Sequence, residues 1–322
     1  MDIKMTMASA AIIFAAAGYS GDKCCKDPVL GNWGLKLPYD SMSAGHMIMS
    51  RDAKGKPQAL VLWRWASPNQ MKDVVVDGPN FSFVMPGGGV KVAGSVQKCG
   101  TIKAEAFDKK GKKIGDVTGW RNPPAKDGVK TSDAKLGEPI DLLKDGLAGW
   151  ETMNPKAKFG WSFKDGVLSN KLGLKPDGSW AGGGANLKSK AEDFFDFNLE
   201  YDVRVPAKSN SGVYLRGRYE VQVVDSFGKK PDSHAMASLY GRIVPKKYAE
   251  KAPGEWQHVS VTLYKRHITV VLNGVTIIDN EPVLGITGGA IDANETVPGP
   301  IYLQGDHSDA DFKNMILRRA TN

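Results

Sequence analysis

The sequence predicts an all-β protein in which a small antiparallel barrel or sandwich precedes a larger two-sheet jelly roll. The chain has 37 glycines and 18 prolines among 322 residues, and few long stretches with helical period, so many short strands joined by turns are favoured. The Asn273-Gly274 dipeptide between two apolar runs is typical of a hairpin with a type I′ turn. A polar stretch rich in Pro, Gly, Lys and Asp at 121–139 divides the two regions and is interpreted as a linker.

Residues 1–20 are predicted to be a secretory signal peptide, because one positive charge precedes an apolar run at 5–17 and small residues follow it. The run is shorter than the ~20 residues that a membrane helix needs, so no membrane span is expected. The predicted location is the periplasm or the exterior. In such a compartment, we expect one of Cys24 and Cys25 to pair with Cys99 and one thiol to remain free.

The small β-domain is predicted over 26–120, a length that suits an independent domain. Trp33, Trp63 and Trp65 are interpreted as core residues, since Trp63 and Trp65 share one face of a predicted strand. The predicted strands lie at 59–65, 74–76, 81–85, 90–93, 102–107 and 114–117.

The jelly roll is predicted over 140–322, where strand signals recur to the end of the chain. Its predicted strands lie at 161–163, 165–168, 198–205, 213–225, 258–264, 268–272, 275–279, 301–304 and 311–317.

The predicted strand at 213–225 has two chemically different faces, because side chains alternate along a strand. A mixture of cations, a carboxylate and an amide on one face predicts the floor of a site for a hydroxylated ligand, and an exposed face with cross-strand ion pairs is the alternative. The core face contains Val213, Leu215, Tyr219, Val221 and Val223, and the polar face contains Tyr214, Arg216, Arg218, Glu220 and Gln222.

The formal net charge of +8 does not indicate a nucleic-acid partner. Lysines and arginines are scattered along the chain and do not form the clustered basic patches of nucleic-acid-binding proteins.

Four segments in order resemble one bacterial family: LGEPIDLLKDGLAGWETMNPKAKFGWSFKDGVL, NSGVYLRGRYEVQVVDS, KAPGEWQHVSVTLYKRHITVVLNGVTIID and GPIYLQGDHSDADFKNM. Over 136–319 the chain is similar to the 3-keto-disaccharide hydrolases, also described as 3-keto-glucoside lyases and hydratases. The resemblance implies a concanavalin-like jelly roll, an envelope location and activity on oxidised glucosides, with functional coupling to a sugar 3-oxidoreductase. The first domain resembles an N-terminal extension that some members have.

A ketone at C3 of a glucoside acidifies the C2 proton, so a base can remove it, the C1 substituent can leave and water can add. This chemistry needs a base, a donor for the enolate oxygen and an acid for the departing oxygen. We predict Glu220 as the base, Arg216 as the clamp for the enolate or a hydroxyl, and His307 as the acid. The predicted substrate-binding residues are Arg218, Gln222, Asp225, Tyr240, Gln304, Asp306 and Trp180.

No cofactor is predicted to be required, although a divalent metal is an alternative because Asp306, His307, Asp309 and Asp311 are of the right ligand types. Two other functions stay open. One is a non-catalytic carbohydrate-binding jelly roll, and the other is an ordinary glycosidase with two carboxylates ~5–9.5 Å apart. The fold does not separate these options.

Overall fold

The computed structural model describes residues 27–98 and 100–321, and 49% of these residues are strand while 3% are helix. Within the described residues, 22 strands form three antiparallel sheets. The predicted fold class, a jelly roll preceded by a small antiparallel β-domain, is confirmed. No helix in the described ranges is long and apolar enough to cross a membrane. Short 3-10 helices lie at Pro86–Gly88, Thr131–Asp133 and Gly146–Gly149.

The predicted signal peptide, Cys24, Cys25 and Cys99 lie outside the described residues.

The first sheet closes into a barrel. Its strand order is β4-β3-β2-β1-β9-β8-β7-β6-β5, and the strands at its two ends are separated by Met71 alone, whose amide donates to the Ala59 carbonyl at 2.8 Å. The continuous stretch formed by β4, Met71 and β5 therefore pairs with β3 through β4 and with β6 through β5. The strands are β1 (Gly31–Lys36), β2 (Ala44–Arg51), β3 (Pro57–Trp63), β4 (Asn69–Gln70), β5 (Lys72–Asp77), β6 (Asn80–Val84), β7 (Val90–Val96), β8 (Thr101–Asp108) and β9 (Lys113–Arg121).

The three tryptophans of the barrel have different environments. Trp33 is fully buried, as predicted. Trp63 is partly buried, and its Nε1 donates to the Tyr39 hydroxyl at 2.9 Å. The prediction for Trp65 is wrong, because its side chain is 51% exposed. Strand β3 ends at Trp63, and Arg64 follows with a φ of +70°, so Trp65 leaves the face that points into the barrel.

The segment 121–139 packs on the jelly roll over part of its length. Thr131 contacts Thr269 through their hydroxyl groups at 2.5 Å, and its amide donates to the Asn280 side chain at 2.8 Å. Asn280 in turn donates to the Val129 carbonyl at 2.8 Å. The first strand of the jelly roll begins at Lys135, inside the predicted linker.

The remaining strands form two sheets. The larger has the order β12-β13-β22-β15-β18-β19-β20, with β10 also paired to β22, and the smaller has the order β11-β14-β21-β16-β17. These strands are β10 (Lys135–Asp141), β11 (Trp150–Thr152), β12 (Trp161–Lys164), β13 (Val167–Asn170), β14 (Leu187–Ser189), β15 (Phe197–Arg204), β16 (Asn210–Leu215), β17 (Tyr219–Val224), β18 (Gln257–Tyr264), β19 (His267–Leu272), β20 (Val275–Pro282), β21 (Tyr302–Leu303) and β22 (Ala310–Thr321).

The predicted single strand at 213–225 is wrong, because the chain forms a hairpin of β16 and β17 there. Arg216 and Gly217 form the turn with φ of +55° and +63°, the left-handed pair that a type I′ turn requires. Because Leu215 pairs with Tyr219, the loop contains three residues, Arg216 to Arg218, and residues of the same parity lie opposite each other across the hairpin. Tyr214 is therefore paired with Glu220, and their side chains lie on the same face of the sheet.

The odd-numbered side chains of this hairpin belong to the core that the two sheets enclose. Val213, Leu215 and Val221 are fully buried there with residues of β15 and β18. Ala44 and Leu62 of the barrel join the same core. The even-numbered side chains therefore lie on the opposite face of the smaller sheet.

Candidate active site

A cavity of about 340 Å³ lies over the even-numbered face of the smaller sheet. This volume is within the range of about 300–1,000 Å³ that is common for small-molecule sites. Strands β16, β17 and β21 supply its floor, and loops of the jelly roll and of the barrel supply its walls. The lining residues are Trp65, Ala66, Asn210, Tyr214, Glu220, Tyr240, Gly288, Gly289, Tyr302, Gln304, Asp306 and His307.

Glu220 is the carboxyl group at the floor. Its side chain is nearly buried, and its Oε2 accepts a hydrogen bond from the Tyr214 hydroxyl at 2.8 Å. Burial raises the pKa of Glu220 to about 8, the Tyr214 hydrogen bond lowers it, and the negative charge of Asp306 raises it. A carboxyl with a pKa near neutrality can exchange a proton with a substrate.

Two stacked tyrosines hold Glu220 in place. The rings of Tyr214 and Tyr302 are 4.1 Å apart between centroids and 14° from parallel, an arrangement that limits ring movement. The Gly288 carbonyl oxygen also lies 2.8 Å from the Tyr214 hydroxyl. The proton donor to Glu220 therefore has a fixed position.

Asp306 and His307 form the polar part of the rim. The Nδ1 of His307 is 2.5 Å from Asp306 Oδ1, and the two side chains are 48% and 37% exposed. The hydrogen bond to Asp306 raises the pKa of His307 above its usual value. A protonated imidazole at the rim can serve as an acid for a substrate oxygen.

Two amide side chains in the cavity have polar atoms without partners. The Oε1 of Gln304 and the Oδ1 of Asn210 are buried and accept no hydrogen bond from the described residues. Buried polar atoms are normally paired, so these two acceptors favour a hydroxylated ligand. The residue Gln304 itself is 9% exposed.

Tyr240 stands in the wall with its ring 4.9 Å from that of His234, edge to face. Burial and the nearby Glu220 raise the pKa of the Tyr240 phenol above its ordinary value. Its hydroxyl therefore stays protonated at neutral pH and is available as a donor.

Arg216 does not reach the cavity, contrary to its predicted role as a clamp. It occupies the hairpin turn, is fully buried and donates through Nη2 to the carbonyls of Glu295 and Val297 at 2.7 and 2.6 Å. Its guanidinium lies 4.3 Å from the Phe195 ring centroid. The turn points the side chain at a covering loop and away from the polar face, so Arg216 stabilises that loop.

Arg218 and Gln222 are also outside the cavity lining. Arg218 forms a salt bridge with Asp292 at 2.5 Å and donates to the Arg216 carbonyl at 2.8 Å. Gln222 is buried and does not line the cavity, and its backbone forms hydrogen bonds with Ala237 and Ser238.

Asp225 and Trp180 form local contacts outside the cavity. Asp225 accepts from the Lys208 amide at 2.8 Å, and Trp180 Nε1 donates to the Lys208 carbonyl at 2.9 Å. The structure thus brings together Glu220, Tyr240, Gln304, Asp306 and His307 from the predicted set, and it separates Arg216, Arg218, Gln222, Asp225 and Trp180 from them.

The acidic residues that suggested a metal do not converge. Asp309 accepts hydrogen bonds from the amides of Leu172 and Gly173, and Asp311 is paired with Lys171 and Arg204. Among residues 27–98 and 100–321, no group of three or more His, Cys, Asp and Glu side chains is arranged to hold a metal ion.

Several lining residues were missed at the level of sequence. Tyr302 precedes Gln304 by two positions, and Asn210 precedes Tyr214, which was already assigned to the polar face, by four, so strand alternation would have added Tyr302 and Asn210. No sequence signal predicts Trp65 as a lining residue, because it comes from the other domain.

Three crystal structures of presumed glycosyl hydrolases from Parabacteroides distasonis are similar to this chain. The first is 23% identical, covers 62% of this chain and 100% of its own, and has a TM-score of 0.44. The second is 24% identical with coverages of 57% and 100% and a TM-score of 0.43. The third is 19% identical with coverages of 59% and 95% and a TM-score of 0.44.

No curated protein matches the chain. A family model does match, over residues 138–318, which is more than half of the chain. The match includes the floor of the cavity and its acidic rim. The chain belongs to the family defined by the 3-keto-alpha-glucoside-1,2-lyase-like domain.

Proposed function

We propose that this protein cleaves the C1–O bond of 3-keto-glucosides or 3-keto-disaccharides by elimination followed by hydration. Membership of the family supports a carbohydrate-acting, hydrolase-like function. One observation supports the finer proposal most strongly. A single cavity contains Glu220, whose pKa is raised to about 8, together with the partly exposed His307.

The proposed reaction assigns a proton-transfer role to each group. The Glu220 carboxylate takes the C2 proton, and the C–H electrons form an enolate whose oxygen is at C3. The enolate then restores the C3 ketone while a C1=C2 double bond forms and the C1–O bond breaks, and His307 gives its proton to the departing oxygen. Water then adds with its hydroxyl at C1 while its other proton passes to His307, and Glu220 returns its proton to C2.

The enolate oxygen needs a donor other than Arg216. Tyr240 lines the cavity, and its hydroxyl makes no hydrogen bond to the described residues, so it is assigned that role. Asn210 and Gln304 bind sugar hydroxyls through their unpartnered oxygens.

Two features favour catalysis over simple carbohydrate binding. Glu220 is not neutralised by an arginine, because Arg218 pairs with Asp292. The cavity is also open and is not filled by packed side chains. A carboxyl group left without a cationic partner in a ligand-sized cavity is more typical of a reactive group than of a structural one.

The reaction type is tested by comparing one glucoside before and after oxidation at C3. We expect cleavage only of the oxidised form. Cleavage of both forms would support an ordinary glycosidase that uses Glu220 and Asp306 as its two carboxylates, and binding of either form without products would support a binding module.

The Glu220→Gln variant should lose about 10²–10⁴-fold in kcat on a 3-keto-glucoside, the usual contribution of a general base. Glutamine has nearly the same shape and still accepts the Tyr214 hydrogen bond, so the fold should be retained. Asp225→Asn is the matched control, since this carboxyl on the same hairpin lies outside the cavity. Wild-type turnover by Glu220→Gln would remove this residue from the mechanism.

A further inference from the structure

The barrel domain supplies part of the cavity wall. Trp65 and Ala66, in the loop between β3 and β4, line the same cavity as Glu220. The Trp65 side chain is 51% exposed, whereas Glu220 at the floor is 3% exposed. A large aromatic ring therefore stands at the mouth of the cavity while the reactive carboxyl lies at its bottom.

The loop that contains Trp65 is docked on the jelly roll. The Gly289 amide donates to the Arg64 carbonyl at 2.9 Å, and the Ser67 hydroxyl is 2.7 Å from His234 Nε2. The backbones are also in close contact, since a Cβ at Gly288 would lie 2.3 Å from the Ala66 carbonyl oxygen. The position of Trp65 relative to the cavity is thus set by the jelly roll as well as by the barrel.

The backbone on both sides of Trp65 adopts an unusual conformation. Arg64 and Ala66 have φ of +70° and +59°, a region that side-chain-bearing residues rarely occupy and that is concentrated at ligand-binding sites. The Arg64 guanidinium lies 4.0 Å from the Tyr39 ring centroid and 5.1 Å from that of Trp65, and it donates to the carbonyls of Ser41 and Met42. These contacts hold the indole in place before a ligand arrives.

We propose that Trp65 is the stacking platform for the departing unit of a 3-keto-disaccharide. The inference rests on the proposed function, in which the oxidised ring reacts at the floor near Glu220. A second ring attached at C1 then extends toward the mouth, where the flat apolar face of the indole can pack against its C–H face. The barrel domain contributes specificity for the leaving group, and the jelly roll contributes the chemistry.

The test compares two substrates that share the oxidised ring and differ in the leaving group, a 3-keto-disaccharide and a methyl 3-keto-glucoside. For Trp65→Ala we expect kcat/KM on the disaccharide to fall about ten- to a hundredfold, the loss common for truncating a contact tryptophan. We expect the methyl glucoside to be cleaved at nearly the wild-type rate. Trp65→Phe, which keeps an aromatic face, should recover most of the loss.

Phe159→Ala is the matched control, because Phe159 is 55% exposed and does not line the cavity. It should leave both substrates unaffected. An equal loss on both substrates in Trp65→Ala, or no loss on either, would overturn the proposal.

A binding experiment separates this proposal from the reaction itself. Calorimetry with the unoxidised disaccharide and the methyl glucoside measures the affinity gained from the second ring in the wild type and in Trp65→Ala. Loss of that gain in the variant supports the platform even if the wild type cleaves neither keto substrate, which would refute only the proposed reaction. The same gain in both proteins refutes the platform.

Discussion

Glu220 is a carboxyl group whose surroundings oppose its charge. Burial and the nearby Asp306 favour the protonated form, and only the hydrogen bond from Tyr214 favours the carboxylate. The balance leaves the pKa at about 8, against an ordinary value of 4.5. Asp306 acts in the same direction on His307, whose pKa it raises. One exposed carboxylate thus adjusts both groups that the proposed mechanism uses.

We expect a bell-shaped dependence of kcat/KM on pH. The rate should rise with pH as Glu220 loses its proton near pH 8, and it should fall as His307, whose pKa Asp306 raises, becomes neutral. In Asp306→Asn both inflections should move to lower pH, because the negative charge that raises both pKa values is gone. In Tyr214→Phe the acid-side inflection should move up, since a hydrogen bond to the carboxylate is lost.

Steady-state kinetics on a 3-keto-glucoside across the pH range would measure these inflections. An acid-side inflection that is the same in wild type, Asp306→Asn and Tyr214→Phe would mean that it belongs to a group other than Glu220.

The hairpin of β16 and β17 is the element that assembles the floor. Its three-residue loop, Arg216 to Arg218, pairs residues of the same parity, so Tyr214 lies opposite Glu220. Gly212 gives the carboxyl its space, because a Cβ there would lie 2.4 Å from Glu220 Oε1 and 2.9 Å from its Cγ. The absence of a side chain at one strand position therefore determines where the base can sit.

The Gly212→Ala variant should displace the Glu220 side chain and lower kcat, by about 10²-fold if the shift approaches 1 Å. Overpacking should cost about 1–3 kcal/mol in the free energy of unfolding. Kinetics and urea denaturation would measure the two effects. Gly89→Ala is the control, because its φ is −76° and no atom lies within 4 Å of a Cβ there. Full activity in Gly212→Ala would show that the carboxyl position is not critical.

At the scale of the whole molecule, the barrel and the jelly roll share a buried polar cluster. Glu295 accepts hydrogen bonds from Arg266, Tyr219 and Asn122 at 2.8, 2.9 and 2.8 Å. His46 of the barrel accepts from Arg242 at 3.2 Å, and its Nε2 lies 3.7 Å from Glu295. The hydrogen bonds and opposite charges within the cluster offset the free-energy cost of burying each group. The cluster therefore fixes the barrel on the jelly roll and Trp65 over the cavity.

His46 should make this interface sensitive to acid. Burial and the positive charges of Arg242 and Arg266 lower its pKa well below 6.5. As the pH falls through about 6.5, His46 therefore gains a proton in the unfolded chain but not in the folded protein. The stabilisation from neutral His46 is complete above that pH and is lost as the pH falls below it. The expected loss is about 1.4 kcal/mol per pH unit until the folded-state pKa is reached.

Urea denaturation at about pH 7.5 and about pH 5 would measure the loss, with His46→Gln as the reference because glutamine cannot gain this proton. The wild type should lose more free energy of unfolding than His46→Gln over this interval. Parallel losses in the two proteins would contradict the assignment.

Much of the fold follows from local patterns. Asn273-Gly274 forms the expected turn with φ of +50° and +81°, and apolar alternation locates the core strands of both domains. The turn at Arg216-Gly217 was missed for a local reason, since arginine is uncommon in the left-handed region and the pair lacks the usual Asn or Asp signal.

The candidate site was predictable only where it depends on alternation along strands. Parity placed Tyr214 and Glu220 on the polar face, and it would have placed Tyr302 on the same face as Gln304. Parity also suggested Arg216 and Gln222, but whether a polar side chain on that face meets a ligand or a covering loop depends on loops distant in sequence. The packing of those loops determines which of the two occurs, and the alternation of side chains along a strand carries no information about that packing.

The sequence by itself determined the all-β class, the family and the carboxyl group around which the site is built, because strand period and short motifs are local properties of the chain. The tertiary structure alone decided that Arg216 supports a loop, that the acidic residues after His307 disperse to separate partners, and that Trp65 of the barrel completes the cavity. These outcomes depend on contacts between residues distant in sequence, such as Arg216 with Val297 and Ser67 with His234, which form only when the chain has folded.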